Sequence, residues 1–128
     1  MAWQTTDDLA AFDAAALDFL RAQPTQNTIL LSVPSVLRER GLNAFGDERP
    51  RFGWYADAHG VVGGAFLQTP PHPLLLSDLP DLAAARSLVE ALRASGRPLP
   101  GVNAPRPVAE AVASAWCAAA GEIGRAHV

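Results

Sequence analysis

The chain has 128 residues, 49% of them hydrophobic and 18% charged, with a formal net charge of −3. That length suits one domain with one core, and the composition is that of a folded protein rather than a disordered segment. The acidic balance gives no electrostatic case for nucleic acid or an anionic membrane as partner, and no apolar run approaches the roughly 20 residues of a membrane span.

A short strand is expected at the start, over residues 2–5. The group Thr5, Thr6, Asp7 and Asp8 offers helix-capping side chains, and Leu9, Phe12, Ala16, Phe19 and Leu20 follow at helical spacing. Pro24 and Asn27 bracket a break. A second helix is predicted over 25–40, carrying Ile29, Leu30, Val33, Val36 and Leu37 and stopping at Gly41, with a kink or a split at Pro34.

The period then changes. The run RFGWYA from Arg51 is rich in strand-forming aromatics, Asp57 to Gly60 reads as a turn, and residues 61–69 form the return strand of a hairpin. The pair Gly63 and Gly64 in that strand suggests a bulge or a close backbone approach. After the break at Pro70, Pro71 and Pro73, Leu74, Leu75 and Leu76 form a short buried strand. A third helix follows Asp81, with Leu82, Ala85, Leu88, Val89 and Leu92 on one face and Gly96 as its stop. A short extended piece over 99–103 leads to a fourth helix, which opens at Pro105 to Pro107. That helix packs Val108, Ala111, Val112, Ala115 and Trp116 and ends at Gly121. The order β-α-α-β-β-β-α-β-α describes an α/β (α+β) domain with a mixed sheet.

This order resembles the GCN5-related N-acetyltransferase (GNAT) family. The stretches FGWY from Phe52, GVVGGAFL from Gly60 and TPPHPLLLS from Thr69 to Ser77 are similar to the N-terminal half of larger actinobacterial GNAT proteins, whose second domain carries the chemistry. All ten basic residues are arginine, a GC-rich codon choice that fits a high-GC bacterial genome. The resemblance covers residues 1–121. It implies a parent enzyme that moves an acetyl group from acetyl-CoA to a small-molecule or peptide amine, with a C-terminal catalytic GNAT domain as the partner of this half.

In the family, the loop into the third helix cradles the CoA pyrophosphate through an Arg/Gln-x-x-Gly-x-Gly/Ala pattern, in which backbone N–H groups and the helix N-terminus hold the phosphates. The equivalent loop here is Ser77, Asp78, Leu79, Pro80 and Asp81. It has no glycine, Pro80 deletes one N–H, and Asp78 and Asp81 set carboxylates where a dianion would sit. The family's fourth helix also bears a tyrosine whose phenol can protonate the departing thiolate. Trp116 stands near that position, with Ala109 where an asparagine would be, and an indole N–H is a poor proton donor. The chain is therefore expected to be non-catalytic and to bind no cofactor itself, the acetyl-CoA belonging to the parent's catalytic domain.

Single residues add little chemistry. Trp54, Leu75, Leu76 and Asn103 are the candidates to line a groove. Trp54, Tyr55 and Phe66 serve a core equally well, and strand termination explains Asn103 equally well. His59 reads as a solvated turn residue and His72 as loop packing. Neither they nor His127 and Cys117 have metal-ligand spacing. Glu39, Glu48, Glu90 and Glu110 offer no basis for choosing a general base. Cys117 is expected to be a buried small hydrophobe. As the sole cysteine it excludes an internal disulfide and fits a reducing, cytoplasmic location. The N-terminus has no basic segment of the kind that opens a secretory signal.

The ending GEIGRAHV lacks the preceding helical period, and it contains Ile123, one of two isoleucines in the chain. It can be written in codons that closely resemble a sequencing-library adapter. Residues 122–128 are therefore expected to be an adapter-derived tail, with residues 1–121 a truncated GNAT-like domain lacking its final strands. The competing reading is a complete small ligand-binding or interaction module without catalysis.

Overall fold

A computed structural model describes residues 2–44, 46, 49–69, 72–95 and 101–126. The chain forms β1 (Ala2–Thr6), α1 (Leu9–Arg21), α2 (Thr28–Arg40), β2 (Arg51–Ala56), β3 (Val62–Gln68), β4 (Leu74–Leu76), α3 (Leu82–Ser95), β5 (Val102–Asn103) and α4 (Arg106–Ala126). Among the described residues this is a mixed α/β fold with four helices and one five-stranded sheet, in the element order read from the sequence. Among the described residues no helix is long and apolar enough to cross a membrane.

The strands lie in the order β1-β2-β3-β4-β5. The first four pair antiparallel and β5 runs parallel to β4. Alternation along the strands sends side chains to two helical layers. Phe66, Leu74 and Leu76 pack with Ala85, Leu88, Val89, Leu92, Val108 and Val112 on the α3/α4 side. Phe52, Ala65 and Leu67 pack with Phe12, Ala16, Leu20, Leu30 and Leu37 on the α1/α2 side. The Phe12 and Phe52 rings stack there with centroids 5.2 Å apart.

Local chemistry sets the element ends. Asp8 caps α1, its Oδ1 accepting the Ala10 N–H at 3.0 Å, while Thr6 Oγ1 accepts the Asp8 N–H. Gly41 ends α2 at a φ of 99°, a conformation that favours glycine. In the β2–β3 turn, Asp57 Oδ1 accepts the N–H groups of His59 and Val61, and Gly60 takes a φ of 80°. The pairing shifts between Tyr55 and Ala56, whose partners are Gly64 and Val62, so Gly63 forms the bulge that the double glycine suggested.

Several expectations are corrected. The second helix starts at Thr28 rather than residue 25, and it is continuous through the buried Pro34. Leu82, expected on the buried face of α3, is 62% exposed. The fourth helix does not stop at Gly121 but continues to Ala126. Glycine ends a helix by turning left-handed, and the positive-φ glycines among the described residues are Gly41 and Gly60. Cys117 is exposed, not buried. At 100° per residue it points about 140° away from Val112, off the stripe that packs on the sheet. Glu48, Pro70, Pro71, Gly96 and His127, singled out above, and the first two residues of the expected 99–103 piece lie outside the described residues.

Candidate functional site

The site begins where the pairing of β4 with β5 ends. Leu74 and Leu75 pair with Val102 and Asn103, but Leu76 has a partner only in β3, and the chain leaves β5 for α4. A groove opens there. Leu75, Leu76 and Asn103 line its sheet side, and Gln26, Ile29 and Leu30 come over it from the α1–α2 turn and the start of α2. Three of the four groove residues chosen from sequence thus come together. Trp54, the fourth, packs instead against the α1/α2-side core.

Asn27 holds this turn in place. Its side chain is buried, and Nδ2 donates to the Leu20 carbonyl at 3.1 Å, tying the turn back to α1. It begins α2 without a side-chain cap bond, so the first-turn N–H groups of α2 lack the partner a cap would supply. Thr28 Oγ1 is committed to the carbonyls of Pro24 and Thr25 at 3.1 and 3.0 Å.

A second cleft adjoins the first and shares Gln26 with it. Phe19, Gln23 and Asn27 form one wall, and Gly63, Asp78, Leu79 and Pro80 form the other. This second wall belongs to the 77–81 loop, the one the resemblance sets against a pyrophosphate, and Ser77, Leu79, Pro80 and Asp81 of that loop are engaged within the fold. Ser77 is buried, its Oγ accepting the Ala65 N–H at 2.9 Å and donating to the Asp78 carbonyl at 2.8 Å. Its own N–H donates to the Ala65 carbonyl, so it continues the β3 ladder. Asp81 Oδ1 accepts the Ala84 N–H at 2.9 Å and caps α3. The chain's own carboxylate thus occupies the helix terminus at which a bound phosphate would accept hydrogen bonds. Leu79 and Pro80 lie against the backbone of Gly64 and Gly63, where a Cβ would meet them at 2.6 and 3.4 Å. The close approach suggested by the double glycine is therefore this loop pressed onto β3.

The fourth helix places Trp116 under Arg93, whose guanidinium sits 5.6 Å from the ring centroid. His59 and His72 are exposed. Among the described residues no group of three or more His, Cys, Asp or Glu side chains could hold a metal ion.

Sequence reasoning missed Phe19 and Gln26 as groove residues. The break between Pro24 and Asn27 was the available signal, since a turn between helices that cover a sheet face must lie at the end of the strands. It also passed over Trp3, whose Nε1 donates to the Ala84 carbonyl at 3.0 Å. The Trp3 ring lies 5.4 Å from Tyr55 and 5.7 Å from Phe66, so it joins β1 to the start of α3.

Comparison with known proteins gives no relative: no family model, curated protein or solved structure matches the chain.

Proposed function

We propose that the chain is the GNAT-like, non-catalytic half of an acetyl-CoA-dependent N-acetyltransferase, and that it packs against a catalytic GNAT domain and shapes the acceptor-amine groove. The observation that carries this reading is the parallel β4–β5 junction set beside a helix whose N-terminus is capped by the chain's own Asp81. The groove beside that junction is where this reading seats the acceptor, and the Asp81 cap together with Pro80 argues against an anion cradle at the start of α3. In the proposed parent reaction the acceptor nitrogen attacks the thioester carbonyl. The C–N bond forms, the C–S bond breaks, the nitrogen gives up one proton and the departing thiolate takes one up, so the amide and the free thiol are both neutral. Trp116 offers only an indole N–H for that last step, too weak an acid to supply it.

Two measurements test the proposal. Titration of the chain with acetyl-CoA is expected to show no binding in the micromolar range, and saturable micromolar binding would overturn the non-catalytic assignment. Sequencing the source gene across the codons for residues 120–128 is expected to reveal a second α/β domain with a glycine-rich phosphate loop. A natural stop codon there would remove the catalytic partner and leave a self-contained binding module.

A further inference from the structure

The lining of the two clefts carries more information than their position. Among the residues that form them, Asp78 is the one with an ionisable side chain. It is exposed, its Oδ1 accepts the Leu79 N–H at 3.0 Å, and no ion pair to it occurs among the described residues. Across the same cleft stands Phe19, with Gln26 at the boundary to the neighbouring cleft. A carboxylate, an aromatic face and amide oxygens are the groups that bind an ammonium ion. Beyond Gln26 the surface turns apolar, with Leu75 and with Ile29, the latter 51% exposed.

We propose that this paired groove binds a small primary amine with an apolar body, its ammonium held at Asp78 and Phe19 and its hydrocarbon laid over Leu75 and Ile29. The proposal rests on the acceptor-groove reading above and names the acceptor class. Two features argue for this occupant and this orientation. The single carboxylate matches a single charge, because a second ammonium would have to sit on apolar surface without a counter-ion. The net charge of −3 attracts cations and opposes anions at long range.

The test is a nuclear magnetic resonance titration of the full chain with hexylamine, hexanol, hexanoate and spermine at neutral pH. Hexylamine is expected to shift the amide signals of Gln26, Leu75 and Leu76 and to bind about tenfold more tightly than hexanol, the gain of one charge-assisted hydrogen bond. Asp78→Asn is expected to erase that difference while leaving hexanol binding unchanged. Phe19→Leu, which keeps the apolar volume, is expected to reduce it, and it serves as the second variant should Asp78→Asn fail to fold. Spermine is expected to bind no more tightly than hexylamine. Equal affinity for hexylamine and hexanol, tighter binding of hexanoate, or preference for spermine would each overturn the proposal. The acetyl-CoA titration of the same sample reports separately on the non-catalytic reading, so the two can fail independently.

Discussion

At Gly53 a side chain of even one carbon has nowhere to go, because a Cβ there would run into the fully buried ring of Phe66 on the neighbouring strand. Gly53→Ala is therefore expected to cost about 1–3 kcal/mol despite alanine's lower chain entropy, read as a lower urea midpoint at unchanged slope. Gly64 differs in what it faces. A Cβ there would meet the methyl end of Leu79 at 2.6 Å, and Leu79 belongs to a loop that can shift. Gly64→Ala should lose less than Gly53→Ala, and equal losses would mean that the 77–81 loop is as rigid as the core. Asp81 gives a third test. Asp81→Ala removes the α3 cap at an expected cost of about 1 kcal/mol, whereas Asp81→Asn keeps an acceptor oxygen and should retain most of the stability in the same unfolding measurement.

At the scale of elements, α1 and α2 are joined by one well-formed ion pair. Arg38 donates from Nε to Asp13 Oδ2 at 2.9 Å and from its terminal nitrogen to Oδ1 at 3.0 Å. The hydrogen bond to Asp13 raises the Arg38 pKa above its ordinary value. A raised pKa means that the stabilisation is complete below the ordinary arginine pKa and is lost only in strong alkali, so it is constant across the neutral range. With the two side chains 42% and 21% exposed, solvent screening limits the pair. A double-mutant cycle on Asp13→Ala and Arg38→Ala is expected to give a coupling of about 0.5–1 kcal/mol, smaller in molar salt. The same scale shows what sequence can and cannot reveal. The helices and strands were legible because Leu9 to Leu20 and Ala85 to Leu92 repeat at helical spacing, and because Asp8, Gly41 and Asp81 are local end signals. The end of α4 was not, since Gly121 could be read only by its usual role, and its actual conformation is set by the helix on either side. That Leu75, Leu76 and Asn103 lie together was legible because each falls in the last two residues of a short strand. The break between Pro24 and Asn27 and the paired Gly63 and Gly64 signalled a turn and a close approach, but that Phe19 and Gln26 reach the groove and that Leu79 is what meets Gly64 depends on where a distant turn lands on the sheet.

For the whole molecule, the sheet is the shared wall of two cores, and its alternation makes them interdependent. Leu20 lies at the centre of the α1/α2 layer and Leu88 at the centre of the α3/α4 layer, both fully buried. Leu20→Ala and Leu88→Ala are each expected to cost about 2–5 kcal/mol through lost burial and the cavity left behind. What distinguishes one cooperative unit from two weakly coupled layers is how each loss is distributed. β3 contributes Ala65 and Leu67 to one core and Phe66 to the other, so neither layer can open without releasing residues that anchor its neighbour. The tryptophans report on the two layers separately: Trp54 packs with the α1/α2 side, and Trp3 and Trp116 with the α3/α4 side. Variants that retain only Trp54 or only Trp116 are expected to show urea transitions that coincide with each other and with the loss of far-ultraviolet circular dichroism. Leu20→Ala should then lower the midpoint seen by Trp116 as much as that seen by Trp54. A midpoint at Trp116 unmoved by Leu20→Ala would mean that the layers unfold independently and that the shared strand does not couple them.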